Sequence, residues 1–418
     1  MYLSRAKRKA RRDKKNSRRF RAFTVSLAIL FLLIAGFYYI WDSNWNEKSK
    51  LHSGNEHGMN GQQESADGSV SGNAENTEHA DSDSSPATGL DSVDAPPDAV
   101  TEAPIIRLAF VGDIMLSGRI GELAAKEGYD YPYRHVAEHL QSVDIAVGNL
   151  ESPITDRGTP YPNKQYTYRT SPDTVPGMKE AGFDVFNLAN NHTIDYGMEG
   201  LLDTMKYLDE AELGHMGAGH DETEAYQPYI HNVNGMKVAF LGFTNVIPDT
   251  SWKANKDKPG LAETYDYSKA VKAIEIARPD VDFVIVMVHW GIERVDTPEP
   301  YMINKAHHYI DAGADLVIGS HPHVLQGLEL YKDKWIAYSM GNFIFPGTSN
   351  PADKETAILM ADCDTTNKSC GLRVIPAKTG IGQPVPLEGD DALALLEKLN
   401  RLSVGAEVRA DGVVVAKQ

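Results

Sequence analysis

The chain has 418 residues, which is enough for one large or two ordinary domains with a substantial core. Its formal net charge is −17, but basic residues are concentrated at the start, where residues 1–21 carry eleven Lys or Arg and one Asp. The body that follows is strongly acidic, which excludes nucleic acid as its general partner.

Residues 22–41 read AFTVSLAILFLLIAGFYYIW and contain no formal charge. A helix of twenty such residues is long enough to cross a bilayer, and no small-residue cleavage pattern precedes Trp41 and Asp42. We therefore predict an uncleaved, single-pass membrane anchor. The positive-inside bias keeps residues 1–21 in the cytoplasm and makes the acidic remainder extracellular. A nucleic-acid or nuclear-targeting patch is the alternative for the basic run, and its position beside the span disfavours it.

Residues 42–103 are rich in Asp, Glu, Ser, Gly and Asn and have no Phe, Tyr or Trp after Trp45. Such a segment cannot bury enough apolar surface to offset its loss of chain entropy. We predict a disordered acidic linker, extended by repulsion among its charges, that holds the folded part away from the membrane.

From residue 104 onward, short apolar runs alternate with amphipathic stretches, which is typical of βα units and predicts an α/β fold. Strands are predicted at residues 105–111, 144–147, 183–188, 237–243, 281–288, 316–318 and 335–338. Helices are predicted at residues 200–212, 268–277 and 303–312. The second helix stops before Pro279, and the third ends at Gly313, a typical left-handed cap.

Residues 351–418 are interpreted as a continuation of the domain formed by residues 104–350. Their pattern predicts a hairpin of a second sheet at residues 356–361 and 372–376, a helix at 391–402 and a strand at 413–416. A small appended module is the alternative, which periodicity does not decide. Cys363 and Cys370 flank the turn of the predicted hairpin. Outside the cell, a disulfide is favoured there over two free thiols.

Polar side chains follow strand after strand of this pattern. They are Asp113, Asn149, Glu151, Asn190, Asn191, His192, His289, His321, His323 and Asn342. Ligands of open α/β sheets bind outside the carboxyl ends of the strands, so we expect these side chains to meet.

Each of these positions taken alone is weak evidence for a metal site. The stretch LANNHTIDYG, residues 188–197, either forms a capped turn or binds a ligand through its polar side chains, which are Asn190, Asn191, His192 and Asp195. The pair His321 and His323 is a stronger signal, because the proline between them restricts the backbone and can direct both rings to one centre. Several strand ends with metal-ligand side chains together favour a metal site.

Six motifs resemble the CapA family of poly-γ-glutamate capsule proteins, which is similar to the calcineurin-like metallophosphoesterases. They are GDIML (112–116), NLESPIT (149–155), LANNHTIDYG (188–197), VHWGIE (288–293), GADLVIGSHPHVLQG (313–327) and YSMGNFIF (338–345). The resemblance covers residues 105–346. It implies a four-layer α/β/β/α sandwich with a dinuclear-type metal site, and an anchored, outward-facing partner of the membrane synthase that makes or exports poly-γ-glutamate.

Matched residue by residue, the resemblance implies seven metal ligands and one catalytic imidazole, His192. The implied ligands are Asp113, Asn149, Glu151, Asn191, His289, His321 and His323. The chain departs from the family pattern of the phosphoesterases at Met115, where a histidine ligand is usual, and at Ser320, which separates Gly319 from His321. A thioether is a poor ligand for a hard divalent ion, so one or two ions of Mn, Fe or Zn remain open.

Two functional hypotheses remain from the sequence. In the first, the ectodomain is a metal-dependent hydrolase of phosphoester or acyl links at the cell envelope, in which His192 is the general acid and Asp195 orients its ring. In the second, it is a noncatalytic accessory subunit that binds polymer or synthase partners. Met115 favours the second hypothesis, and the retention of His192 favours the first.

The acidic body also limits how the chain can bind a polyanion such as poly-γ-glutamate, because like charges repel. Binding requires a local basic or metal-rich cleft. Four basic residues in the segments between the first motifs are candidates for it, although ordinary surface charges are the favoured interpretation. They are Arg119, Arg134, Lys164 and Arg169.

Overall fold

The computed structural model of the chain describes residues 105–347 and 350–417. The predicted basic segment 1–21, anchor 22–41 and linker 42–103 lie outside these residues and stay predictions. Within the described ranges, no helix has both the length and the apolar character that a membrane crossing requires.

The larger sheet has ten strands, in the order β17-β18-β15-β14-β1-β2-β3-β4, with β13 beside β1 and β16 beside β15. Its strands are β1 (Ile105–Ile114), β2 (Ile145–Leu150), β3 (Val185–Asn187), β4 (Gly214–Met216), β13 (Asn342–Ile344), β14 (Glu355–Asp364), β15 (Ser369–Thr379), β16 (Pro384–Pro386), β17 (Ala406–Val408) and β18 (Val413–Ala416). Strands β1 to β4 are parallel, and β14 pairs with β1 in the antiparallel direction.

The smaller sheet has six strands, in the order β11-β12-β10-β9-β7-β6. Its strands are β6 (Tyr229–Val233), β7 (Met236–Thr244), β9 (Phe283–His289), β10 (Leu316–Ser320), β11 (Leu328–Tyr331) and β12 (Lys334–Ala337). The four central strands are parallel, whereas β6 and β11 pair in the antiparallel direction at the edges. A separate two-stranded ribbon consists of β5 (Ala218–Gly219) and β8 (Gly260–Leu261).

The α-helices of the described residues connect these strands. They are α1 (Arg119–Glu127), α2 (Ala137–Gln141), α3 (Val175–Glu180), α4 (Gly197–Glu210), α5 (Glu222–Ala225), α6 (Ser268–Ala277), α7 (Pro300–Asp311) and α8 (Gly389–Leu402).

Three apolar clusters separate these elements into layers. Alternate residues of β1 and β9, such as Phe110 and Ile285, pack together between the two sheets. The opposite face of β1 packs under helices through residues such as Leu201 of α4. The opposite face of β9 packs against α6 and α7 through residues such as Ile274. The period-two alternation of side chains in a strand therefore buries both faces of each sheet.

The α/β class predicted from the sequence is confirmed, and the long apolar runs are strands. The predicted helix at 268–277 and the predicted strand at 413–416 have the observed bounds. Helix α7 begins at Pro300, three residues before the predicted start, because proline suits the first turn of a helix. Helix α4 ends at Glu210, before the predicted end, and Glu212 beyond it has a positive φ of 53°.

The C-terminal region shares the larger sheet with the first strand. Strand β14 pairs with β1 from Ile105 to Phe110, and β14 and β15 form the predicted hairpin. Cys363 and Cys370 face each other across this hairpin and form a disulfide, which confirms the favoured interpretation of the two cysteines.

Gly112 allows the end of β1 to approach the chain before β13. A Cβ atom at this position would lie 1.9 Å from the carbonyl oxygen of Gly341. We expect Gly112→Ala to lower the free energy of unfolding by about 1–3 kcal/mol, because the backbone must move to relieve the overlap. Denaturant unfolding measures this. Gly371→Ala is the control, since its Cβ meets only one atom at 3.9 Å, and an equal loss in both variants would contradict the prediction.

Candidate metal centre

The carboxyl ends of strands from both sheets meet at one place. Strands β1, β2 and β3 contribute Asp113, Asn149, Glu151 and the 190–195 loop, while β9 and β10 contribute His289, His321 and His323. Contacts cross between the sheets, since the side-chain nitrogen of Asn149 lies 3.3 Å from Nδ1 of His289. The structure thus brings the metal-site residues predicted from the sequence into one cluster.

Glu151, His321 and His323 form the part of this cluster that suits a metal ion. One ligand atom from each residue lies within 4.8 Å of the others. Glu151 is fully buried, yet neither carboxylate oxygen has a hydrogen-bond partner, and Nδ1 of His321 also lacks one. A buried carboxylate without partners is costly, and carboxylate and imidazole groups are common ligands of Mn, Fe and Zn. The residues present therefore fit a divalent ion.

The backbone of the His321-Pro322-His323 segment is unusual. Both histidines have positive φ angles, 95° for His321 and 57° for His323. This left-handed region costs a non-glycine residue on the order of 1–3 kcal/mol and is enriched at functional sites. The surrounding structure therefore holds both imidazoles in an arrangement that the chain would not adopt by itself.

Asp113 and Asn149 lie beside this group and are bonded to each other. The side-chain nitrogen of Asn149 donates to Oδ1 of Asp113 at 2.8 Å. Oδ2 of Asp113 lies 3.2 Å from Nδ1 of His323 and 3.4 Å from the backbone nitrogen of His321. Asp113 thus contacts both histidine positions of the candidate centre.

His289 and Asn191 flank Glu151 on another side. Nε2 of His289 lies 2.9 Å from the side-chain oxygen of Asn191 and 3.5 Å from Oε1 of Glu151. Nδ1 of His289 lies 3.0 Å from the hydroxyl of Ser320, which positions the ring. Both residues are therefore placed as predicted. Whether they bind an ion stays a prediction.

His192 and Asp195 form a pair that the sequence predicted. Nδ1 of His192 lies 2.7 Å from Oδ2 of the buried Asp195, which also accepts the backbone N–H of Tyr168 at 2.8 Å. The ring of Tyr168 packs against that of His192, with centroids 4.9 Å apart. A carboxylate on Nδ1 orients the ring and leaves Nε2 available for proton transfer.

Lys164 contacts both residues of this pair, in agreement with the less favoured interpretation of the sequence, which placed it in a basic cleft. Its ammonium donates to the carbonyl of Asn191 and to Oδ1 of Asp195, and lies 3.0 Å from Nδ1 of His192. The Lys164 side chain is only 13% exposed, so the surface-charge interpretation is wrong for this residue. Arg134 does pair with Asp130 at the surface, in agreement with that interpretation.

Burial controls the electrostatics of the cluster. It lowers the pKa of His192, lowers that of His289 well below its ordinary value, and lowers that of His321 to about 3. The neutral imidazoles of His289 and His321 are in the form that binds a metal ion.

The pKa values of Glu151 and His323 shift in the opposite direction, upward. Burial and the nearby Asp113 carboxylate raise the pKa of Glu151 well above its ordinary value. Burial would lower the pKa of His323, but the carboxylates of Glu151 and Asp113 raise it to about 10. A bound cation would favour the ionised form of Glu151 instead.

Several asparagines beside the cluster have structural roles that the sequence did not separate from ligand roles. Asn190 closes the loop, since its side chain donates to the carbonyl of Leu150 at 2.9 Å and accepts the backbone N–H of His192 at 3.0 Å. Asn342 lies 2.8 Å from Nδ1 of His323, and Asn187 donates to Asn149 at 2.8 Å. The strand-end positions of Asn190 and Asn342 were visible in the sequence, but their hydrogen-bond partners were not.

The chain is similar to capsule synthesis proteins. A family model described as bacterial capsule synthesis protein PGA_cap matches residues 107–347. The capsule biosynthesis protein CapA of Bacillus anthracis is 36% identical over 288 residues, covering 68% of this chain and 69% of that protein. The PGA biosynthesis protein CapA of Bacillus subtilis (strain 168) is 34% identical over 243 residues, covering 58% and 63%.

Solved structures share a more distant likeness. The NAD nucleotidase of Haemophilus influenzae matches with a TM-score of 0.40 and 13% identity, covering 72% of this chain and 64% of that one. A likeness at this level does not bear on the function of the chain.

Proposed function

Since the chain belongs to the bacterial capsule synthesis family PGA_cap, we propose that it acts in making or exporting poly-γ-glutamate or a related envelope polymer. The names of the two Bacillus relatives support this role. The matches span 69% and 63% of the lengths of those relatives, so the activity and partners of the whole protein belong to the proposal.

The proposed location is the outer face of the cell membrane. The charge-free segment 22–41, the basic run before it and the acidic linker after it support a single-pass anchor with an extracellular domain. Such a placement would bring the domain next to a membrane-bound polymer synthase, which is the proposed partner.

The proposed chemistry is metal-dependent hydrolysis in a metallophosphoesterase-like sandwich. The observation that carries this proposal is Glu151, a fully buried carboxylate with no hydrogen-bond partner for either oxygen, next to His321 and His323. A divalent ion bound there would make water a stronger nucleophile near neutral pH and would polarise the bond under attack. Glu151, His321 and His323 would hold this ion.

The remaining residues of the cluster would handle the proton and the substrate. His192 lies on the loop after β3 with Asp195 on Nδ1, so its Nε2 is the atom that would take up a proton from solvent and pass it to the departing group. Lys164 donates hydrogen bonds to Asp195 and to the backbone carbonyl of Asn191, and so keeps the 190–195 loop in place. Burial of the cluster excludes bulk water from these groups.

A noncatalytic accessory role is the second candidate. Met115 stands where the phosphoesterase pattern has a histidine, and Asp113 is already bonded to Asn149. In this case the domain would use the same surface to bind polymer or synthase partners without cleaving a bond.

Hydrolysis assays on the full-length chain in mild detergent, without a polyhistidine tag, test the proposal. We expect Mn, Fe or Zn to stimulate cleavage of poly-γ-glutamate or of a generic phosphodiester, and a chelator to abolish it. The control variant Asp203→Asn also removes the charge of a buried carboxylate, but Asp203 pairs with Arg157 outside the cluster. Its activity should therefore equal that of the wild type. Metal binding without turnover of either substrate would favour the accessory role.

A further inference from the structure

We propose that the centre binds one divalent ion, through Glu151, His321 and His323, and that Asp113 orients His323 and is not itself a ligand. This inference rests on the proposed metal centre and departs from the dinuclear site that the resemblance implies. Some buried side-chain atoms of the centre already have hydrogen-bond partners in the protein, and others have none.

The two buried carboxylates of the centre differ in this respect. Both oxygens of Asp113 face protein groups, with the side-chain nitrogen of Asn149 at 2.8 Å from Oδ1 and Nδ1 of His323 at 3.2 Å from Oδ2. Both oxygens of Glu151 lack a hydrogen-bond partner. Because an ionised, buried carboxylate needs compensation, Asp113 is stabilised by the protein itself, whereas the ionised form of Glu151 would be compensated by a bound cation.

The side-chain amide of Asn149 faces Asp113 with its nitrogen, which is not a metal ligand. The backbone N–H of Ala189 donates to the side-chain oxygen of Asn187 at 3.2 Å, so the Asn187 nitrogen faces the other way and donates to Oδ1 of Asn149. The nitrogen of the Asn149 amide must then face Asp113. An amide nitrogen that carries two hydrogens has no free lone pair for a metal ion.

The orientation of His323 follows from a similar chain of contacts. The side-chain nitrogen of Asn342 donates to the backbone carbonyls of Asp353 and His323, at 2.9 and 3.3 Å. Its oxygen therefore faces Nδ1 of His323, at 2.8 Å. Since Asp113 is also an acceptor, Nδ1 of His323 carries the hydrogen, and Nε2 is free for the ion.

The position of a dinuclear site that Asp113 and residue 115 would complete therefore lacks ligands. Met115 is fully buried where a histidine would be needed, and its thioether is a poor ligand for a hard divalent ion. Asp113 and Asn149 are hydrogen-bonded to each other. The described residues offer Glu151, His321 and His323 as one group, which is enough for three ligands of a single ion with open positions for water.

Metal titration of the full-length chain tests the inference without any activity assay. Protein in mild detergent is stripped with a chelator, loaded with Mn or Zn, dialysed and analysed by elemental mass spectrometry. We expect about one equivalent in the wild type and in Asp113→Asn, with affinity lowered about 10- to 100-fold in the variant because only an orienting residue has changed. Glu151→Gln should bind less than about a tenth of an equivalent.

The outcomes separate this inference from the proposed function. Two equivalents in the wild type, with one lost in Asp113→Asn, would overturn the single-ion site and leave the metal centre intact. Loss of all metal in Asp113→Asn, with the fold preserved by circular dichroism, would make Asp113 a ligand. No metal in the wild type would remove the metal function altogether. The electron paramagnetic resonance spectrum of the Mn-loaded wild type, which distinguishes an isolated ion from a coupled pair, decides the count if Asp113→Asn does not fold.

Discussion

A His321→Ala/His323→Ala double variant should bind less than about a tenth of an equivalent of Mn, Fe or Zn under conditions that load the wild type, because two of the three ligands are removed. Both imidazoles belong to the one group of three or more His, Cys, Asp or Glu side chains whose ligand atoms converge within 4.8 Å among residues 105–347 and 350–417. Elemental mass spectrometry of the full-length, untagged chain measures the loss.

The matched control is a His307→Ala/His308→Ala double variant. These two histidines lie on α7, where His307 stacks on Tyr331 and bonds Glu329, and His308 stacks on Tyr267. The control also removes two imidazole side chains, but from a place outside the cluster. Metal content should stay at the wild-type value, and a similar loss in both variants would mean that the binding is not specific to the candidate centre.

The His321 and His323 variant should also change the thermal response to metal. A ligand that binds only the folded state stabilises it in proportion to the logarithm of its concentration above the dissociation constant. We therefore expect added Zn or Mn to raise the melting temperature of the wild type and to leave that of the double variant unchanged. An equal shift in both would place the stabilising ion elsewhere on the protein.

A His192→Gln variant should retain the metal ion and lose turnover. Loss of a positioned general acid typically costs about 10²- to 10⁴-fold in rate. His192 touches Asp195 and Lys164 and does not belong to the group of Glu151, His321 and His323. On a substrate that the wild type hydrolyses, kcat should fall by this factor while the metal content stays at the wild-type value.

The departing group provides an internal check on this assignment. A substrate whose leaving group is a weak base needs little protonation, so the His192→Gln defect should be smaller on an activated ester than on an unactivated one. An equal defect on both would give His192 a role in positioning. Unchanged turnover on both would exclude it from catalysis.

Much of this protein follows from local pattern. The alternation of apolar runs and amphipathic stretches predicts strands and helices, because burial on two sheet faces requires continuous apolar strands. Helix α6 at Ser268–Ala277 and the hairpin of β14 and β15 agree with that pattern. Polar residues directly after such strands could be assigned to one edge of the fold, because parallel strands end on the same side of a sheet.

Local pattern could not divide those polar residues by role. Asp113 and Glu151 are both acidic and both follow a buried strand, yet one is bonded to protein donors and the other has none. Lys164 reads as a surface charge in the sequence and lies instead against His192 and Asp195. These differences depend on contacts between segments that are far apart in the chain.

The α/β class, the strand ends that carry the site and membership of a capsule synthesis family follow from the order of the residues. Three features depend on how the chain packs: the carboxylate that lacks a hydrogen-bond partner, the amide atom of Asn149 that faces Asp113, and the position of Lys164. The physical reason is that a side chain's periodic position sets the face on which it lies, whereas its hydrogen-bond partners are set by the packing of one sheet against another.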